Sequence, residues 1–110
     1  MSSVTEAITV ALGKQGGMLF GGHYQQIVKE TRSEDPTAVT FDMRKLPAVD
    51  QSEAIQIWLQ QTGMGAQMGV LKHTKPIRVV CDSKTEITAW SKSMLADLRA
   101  KGIDVDIVPV

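Results

Sequence analysis

The sequence is poor in cysteine, in net charge and in long apolar runs, and each shortage argues against a class of protein. Its one cysteine, Cys81, excludes an intramolecular disulfide framework and a multi-cysteine zinc site. Lys plus Arg and Asp plus Glu both number 12, so the chain offers no strong field to nucleic acid or to an anionic membrane. No apolar run approaches the roughly 18 residues of a membrane span, and the first residues lack the regions of an export signal. We therefore expect a cytoplasmic protein that does not insert into a membrane and does not favour nucleic acid.

The rest of the composition is that of an ordinary globular protein. Hydrophobic residues make up 43% and charged residues 22% of the 110 positions, as in folded domains. This length predicts one domain over residues 1–110 with a core that needs no metal or disulfide. His, Asp and Glu form no cluster with metal-ligand spacing. We expect neither a metal nor a cofactor.

Periodicity in the first half predicts two strands, a helix and a third strand. Alternating apolar residues around the turn GKQGG predict a β-hairpin over residues 5–20. Helical spacing then runs from Gly22 to the segment SEDP. The segment AVTFDM, residues 38–43, alternates again and predicts a strand. The residues expected to face the core are Tyr24, Ile27, Val28, Thr31, Val39, Phe41 and Met43.

Two capping patterns predict where the later helices begin. Asp50 with Glu53 three residues later has the spacing of an N-cap and a capping box, and Ser83 begins a second such pattern. The helix after Asp50 is expected to end near Thr62, because glycines follow and each costs about 1 kcal/mol relative to alanine inside a helix. The residues that mark the buried faces of the two helices are Ala54, Ile55, Trp58, Leu59, Ile87, Trp90, Met94, Leu95 and Leu98.

The remaining segments complete the predicted fold. The run IRVVCD, residues 77–82, is continuously apolar and predicts a strand buried on both faces, with Cys81 in the core. Gly102 stands where a left-handed helix C-cap belongs, and VDIVPV predicts the last strand. The order β-β-α-β-α-β-α-β predicts an α/β domain with a single mixed, mostly parallel sheet and helices packed on it.

The segment VTFDMRKLPAVDQSEAIQIW, residues 39–58, resembles the STAS domain, the fold of bacterial anti-sigma-factor antagonists and of cytoplasmic tails of sulfate transporters. In that family a strand of the type V-x-x-D is followed by a loop, an aspartate, a serine or threonine, and an amphipathic helix. Asp42 and Asp50 match the two aspartates of this layout. The resemblance implies a STAS-like fold and a non-enzymatic, regulatory protein that binds a partner protein.

The expected partner site is the N-terminal end of the helix that starts near Asp50, where free amides and the helix dipole favour acidic groups. Gln51 stands where regulated STAS proteins carry the phosphorylated serine or threonine, so we expect constitutive binding without a kinase-dependent switch. A stretch rich in glycine and methionine adds an adaptable apolar surface. The residues expected to contact the partner are Asp50, Gln51, Ser52, Glu53, Met64 and Met68.

Other functions remain open from the sequence. A small enzyme or toxin-like nuclease would use His23 as a general base with Tyr24, and with Lys29 or Arg32 as a cation. A third alternative is an orphan α/β domain whose element order matches the STAS family by chance. Formation of a homodimer is compatible with each of these.

Overall fold

The computed structural model describes residues 22–67 and 75–110. Within these ranges the chain forms three α-helices, four strands and one short 3-10 helix. The helices are α1 (Gly22–Thr31), α2 (Ala48–Gln67) and α3 (Ala89–Ala100), and the 3-10 helix is Met43–Lys45. The strands are β1 (Arg32–Glu34), β2 (Val39–Asp42), β3 (Ile77–Cys81) and β4 (Val105–Pro109). The predicted hairpin over residues 5–20 lies outside the described residues.

The four strands form one mixed sheet in the order β1-β2-β3-β4. β1 is antiparallel to β2, whereas β2 with β3 and β3 with β4 are parallel pairs. Two successive crossovers, through α2 and α3, advance in the same direction across the sheet. Right-handed crossovers of this kind place both helices on one face. The α/β class and the single mixed sheet are thus confirmed.

The core lies between that face of the sheet and the three helices. Alternate strand residues point inward and join the buried faces of α1, α2 and α3 in one apolar cluster. At its centre the rings of Phe41 and Trp58 lie 4.9 Å apart between centroids at an angle of 52°, a favourable tilted arrangement. The buried strand residues are Val39, Phe41, Ile77, Val79, Cys81 and Val105.

The first difference from the predicted element order is β1, an edge strand between α1 and β2. Its residues, Arg32–Glu34, are polar and lack apolar alternation, so no strand was predicted there. Asp35 makes the turn into β2, since its carboxylate accepts from the backbone amides of Thr37 at 2.7 Å and Ala38 at 2.9 Å. The described order is therefore α-β-β-α-β-α-β.

The helix boundaries differ from the capping predictions. α2 begins at Ala48, so Asp50 is its third residue and not its N-cap. α2 also continues past Thr62 to Gln67, because buried Thr62 and Gly65 hold its last turns against the fold. The N-cap of α3 is Thr88, five residues after Ser83, and its side chain accepts from the Ser91 amide at 3.1 Å.

Burial corrects two further expectations. β3 alternates between buried and exposed residues, with Arg78 exposed, so it is covered on one face and not on both. Trp90 lies on the outer side of α3 and is 48% exposed. The predictions for Cys81 and Gly102 are confirmed: Cys81 is buried, and Gly102 has a φ of 85° after α3. In the described residues, no helix combines the length and the apolar character needed to cross a membrane.

Candidate functional site

The ends of β2 and β3 and the beginnings of α2 and α3 meet along one side of the molecule, which we call the carboxyl edge (residues 42–53, 82–90 and 109–110). This arrangement follows from the two parallel crossovers, because each helix begins where the preceding strand ends. In open α/β sheets, ligands and partners commonly bind at this side. The expected partner residues at the start of α2 lie here.

Gln51 is the best-connected polar side chain of the carboxyl edge. Its Oε1 accepts from the Asp82 backbone amide at 2.9 Å and from Thr85 Oγ1 at 3.0 Å. Its Nε2 donates to Asp82 Oδ2 at 2.7 Å and to the Leu46 carbonyl at 3.3 Å. The side chain is 1% exposed. Gln51 therefore connects the β3–α3 loop to the start of α2 by hydrogen bonds.

This environment corrects the expectation that Gln51 lies on an exposed helix end. The side-chain amide of Gln51 is buried and its hydrogen-bonding groups are occupied, so its role is structural. Gln51 can therefore affect a partner only indirectly, by positioning Asp82 or Thr85. A lysine at this position would place a charge in the buried network, so its cost would far exceed the few tenths of a kcal/mol expected for an exposed site.

Ser52 adds a further hydrogen bond on this side of α2, and Asp42 caps the 3-10 helix that precedes α2. Ser52 Oγ donates to the Glu86 carbonyl at 2.7 Å. Both oxygens of Asp42 accept from the Arg44 guanidinium, each at 2.9 Å, and the Arg44 amide also donates to Asp42 Oδ1 at 3.1 Å. The hydrogen bonds from Arg44 hold the pKa of Asp42 below its usual range.

Asp50 and Glu53 lie on a different side of α2, where they line a cleft against α1. We call this the α1–α2 cleft. It has a volume of about 240 Å³. Both carboxylates are exposed and form no hydrogen bond or ion pair with another described residue. The lining residues are His23, Gln26, Ile27, Glu30, Leu46, Pro47, Asp50, Glu53 and Ala54.

The candidate catalytic residues are not brought together. His23 is exposed on the rim of the α1–α2 cleft. Tyr24 is 1% exposed and its hydroxyl lies 3.4 Å from Thr62 Oγ1. Burial raises the pKa of Tyr24 to about 12, although the contact with Thr62 lowers it slightly. Lys29 is exposed on α1, and Arg32 pairs with Glu34 in β1 at 3.0 Å.

Met64 lies in a second, smaller depression between α2 and α3. It is half-buried and lines a volume of about 140 Å³ together with Met94 and Leu98. This depression is far along α2 from the carboxyl edge, since Met64 follows Asp50 by 14 positions and a helix rises about 1.5 Å per residue. Met68, the other predicted methionine contact, lies outside the described residues.

Exposed apolar side chains at the carboxyl edge were not predicted from the sequence. Val49 is 87% exposed, Trp90 48% and Val110 55%, and these are the large hydrophobic residues most open to solvent in the described part of the chain. Val49 is the second residue of α2, Trp90 the second residue of α3, and Val110 follows β4. The helical periodicity of α3 predicted that Trp90 lies in the core. Its exposure depends on how α3 is placed against the sheet, which the sequence does not show.

Ligand-binding groups for a metal are not assembled in the part of the chain that the structure describes, where no three His, Cys, Asp or Glu side chains form a suitable group. In comparisons with protein-family models, curated proteins and solved structures, no significant match was found. The resemblance to the STAS family therefore stays a prediction.

Proposed function

We propose that this protein is a cytoplasmic, STAS-like interaction module that binds a partner protein through the carboxyl edge, at the beginning of α2. The observation that carries the proposal is the exposure of Val49 and Trp90 at the first turns of two neighbouring helices. Single exposed apolar residues are common on any surface. Two at one edge, beside exposed Asp50 and Glu53, provide apolar anchors with a polar rim, as protein interfaces do.

The bracing by Gln51 and Ser52 supports this role. These side chains hold the β3–α3 loop against α2 through hydrogen bonds of 2.7 to 3.0 Å. A surface that is already ordered loses less conformational entropy when a partner binds. Because Gln51 is buried and cannot accept a phosphate, the proposed binding is constitutive. No contact in the described structure favours the nuclease alternative, since Tyr24 is buried away from His23.

The proposal is tested by photo-crosslinking of the full chain in its native cell. Benzoylphenylalanine replaces Val49 in one variant and Asp104 in the control, which is exposed just before β4 at the opposite edge of the sheet. We expect a crosslinked partner protein from position 49 and none from position 104. Adding Trp90→Lys should reduce the position-49 crosslink about tenfold, because a buried interfacial charge costs more than about 1.4 kcal/mol.

Two results would overturn the proposal. One is the absence of a protein crosslink from position 49, or an equal yield from position 104. The other is a crosslink only to a second copy of the chain, which would replace the partner by self-association. Exposed substitutions such as Trp90→Lys usually change the free energy of unfolding by less than about 0.5 kcal/mol, and thermal denaturation verifies that each variant is folded.

A further inference from the structure

The α1–α2 cleft combines an apolar floor with an acidic rim. Glu30 and His23 stand on α1, and Asp50 and Glu53 stand on α2. Residues three, four and seven positions apart share one side of a helix, so the two rims face each other along the cleft. The floor consists of the apolar residues Ile27, Leu46, Pro47 and Ala54.

The negative charge of this rim is not matched by the described residues. Asp50 and Glu53 have no hydrogen-bonding or ionic partner among them, and Glu30 accepts only from the neutral amide of Gln26, at 2.7 Å. Within residues 22–67 and 75–110, no lysine or arginine lines the cleft. Three carboxylates around an apolar floor are complementary to a group that carries a positive charge on a hydrocarbon stem.

We infer that the α1–α2 cleft binds an arginine or lysine side chain of the partner protein. The methylene stem of such a side chain packs on apolar surface while its charged head stays in a polar rim. With a volume of about 240 Å³, the cleft is large enough to receive one long side chain. The inference rests on the proposed function and adds the chemistry of the group that the partner inserts beside Val49.

Electrostatics decide between a cation and an anion in this cleft. The N-terminus of α2 lies close by, and its free amides favour anions. Asp50 stands within the first turn of α2 and Glu53 one turn later, so their full charges oppose an anion more strongly than the partial charge of the helix end attracts it. A carboxylate or phosphate group of a partner is therefore the wrong occupant.

The test is a titration of the full-length, ¹⁵N-labelled protein with the peptide acetyl-Gly-Arg-Gly-amide, followed by NMR. We expect the amide signals of His23–Glu30 and Asp50–Ala54 to shift with an affinity in the millimolar range, and sodium chloride to weaken the binding by screening. The matched peptide with citrulline, which has the same shape but no charge, should not shift them. A lysine peptide determines which of the two cations fits better.

Variants of the rim provide the second part of the test. Asp50→Asn and Glu53→Gln should each weaken binding of the arginine peptide about threefold, the value of one partly exposed ion pair. Asp104→Asn, which removes an exposed carboxylate at the other edge, should leave it unchanged. Equal binding of the citrulline peptide, equal binding by the rim variants, or shifts confined to residues outside the cleft would overturn the inference.

The crosslinking experiment keeps this inference separate from the proposed function. If a partner crosslinks at position 49 but no arginine peptide binds in the cleft, the proposed interaction with a partner protein is supported. The inference that the partner inserts a basic side chain is then wrong. If the arginine peptide binds in the cleft but no partner crosslinks, the proposed function is wrong. The inference that a partner protein supplies the cation is then wrong as well.

Discussion

The two sides of the first turns of α2 use their polar residues in opposite ways. On the side that faces the β3–α3 loop, Gln51 and Ser52 are joined to that loop by hydrogen bonds. On the side that faces α1, Asp50 and Glu53 are exposed and have no partner among the described residues. Because 3.6 residues make one helical turn, adjacent positions differ by about 100° and meet different surroundings. Neighbouring positions in the sequence can therefore differ in role: Gln51 stabilises the fold, whereas the adjacent Asp50 is exposed to solvent.

The largest expected effect on stability comes from removing the side chain of Gln51. Gln51→Ala breaks four hydrogen bonds and leaves the Asp82 amide, Thr85 and the Leu46 carbonyl without their buried partner. We expect the free energy of unfolding to fall by about 2 to 4 kcal/mol. Urea denaturation measures this change.

The control for this variant is Gln60→Ala, an exposed glutamine on the same helix. It should lower the free energy of unfolding by less than about 0.5 kcal/mol. Equal losses from the two substitutions would mean that the network around Gln51 contributes nothing specific to stability.

The second prediction concerns Asp42, which caps the 3-10 helix just before α2. Asp42→Asn weakens the paired contacts with Arg44, so we expect a loss of about 1 kcal/mol at neutral pH. The pKa of Asp42 is lowered in the folded protein by its hydrogen bonds with Arg44, so its contribution is present above the unfolded pKa of about 4 and is lost as the pH falls through the folded pKa.

The difference in stability between native protein and Asp42→Asn should therefore shrink below about pH 4. Denaturation curves at several pH values measure it. Asp104→Asn is the control, since this exposed carboxylate has no side-chain partner among the described residues. A difference that stays constant from pH 7 down to about pH 2 would contradict the assignment.

The smallest expected effect is that of Asp50. As an N-cap it would contribute about 1 kcal/mol, but it lies inside the first turn of α2 and makes no side-chain hydrogen bond with another described residue. Only its interaction with the helix dipole remains, so Asp50→Asn should cost about 0.5 kcal/mol or less in urea denaturation. A loss as large as that of Gln51→Ala would erase the distinction between the two sides of α2.

Within the described residues, local sequence patterns predicted most helices and strands but not where they begin and end. The strands at 39–42, 77–81 and 105–109 follow apolar patterns that need no partner to be recognised. Ser83 with Glu86 has capping spacing, yet the chain first makes a turn there, with the Thr85 amide 3.0 Å from the Asp82 carbonyl. The segments that begin at Asp50 and Ser83 share the same capping spacing, yet one lies inside a helix and the other in a turn. Only the packing around each segment distinguishes them.

The sequence predicted that a helix begins near Asp50, but not the surroundings of each residue in its first turns. The capping pattern located the start of α2 to within three residues, because it predicts Gln51 as the first helical residue and α2 begins at Ala48. The burial of Gln51 depends on a loop 31 to 34 positions away in the chain, which no local pattern reports. The α1–α2 cleft likewise pairs His23 with residues of a helix that begins 25 positions later. Contacts across such separations arise only when the sheet has been assembled.

The most direct test of the division between the two sides of α2 is hydrogen exchange of the Asp82 backbone amide, which donates to Gln51 Oε1 at 2.9 Å. We expect slow exchange in the native protein and in the Asp50→Asn/Glu53→Gln double variant, because neither charge supports the loop. In Gln51→Ala, this amide should exchange much faster than the amides of β3. Fast exchange of the Asp82 amide in the native protein, or its loss of protection in the double variant, would show that the two sides of α2 do not differ in this way.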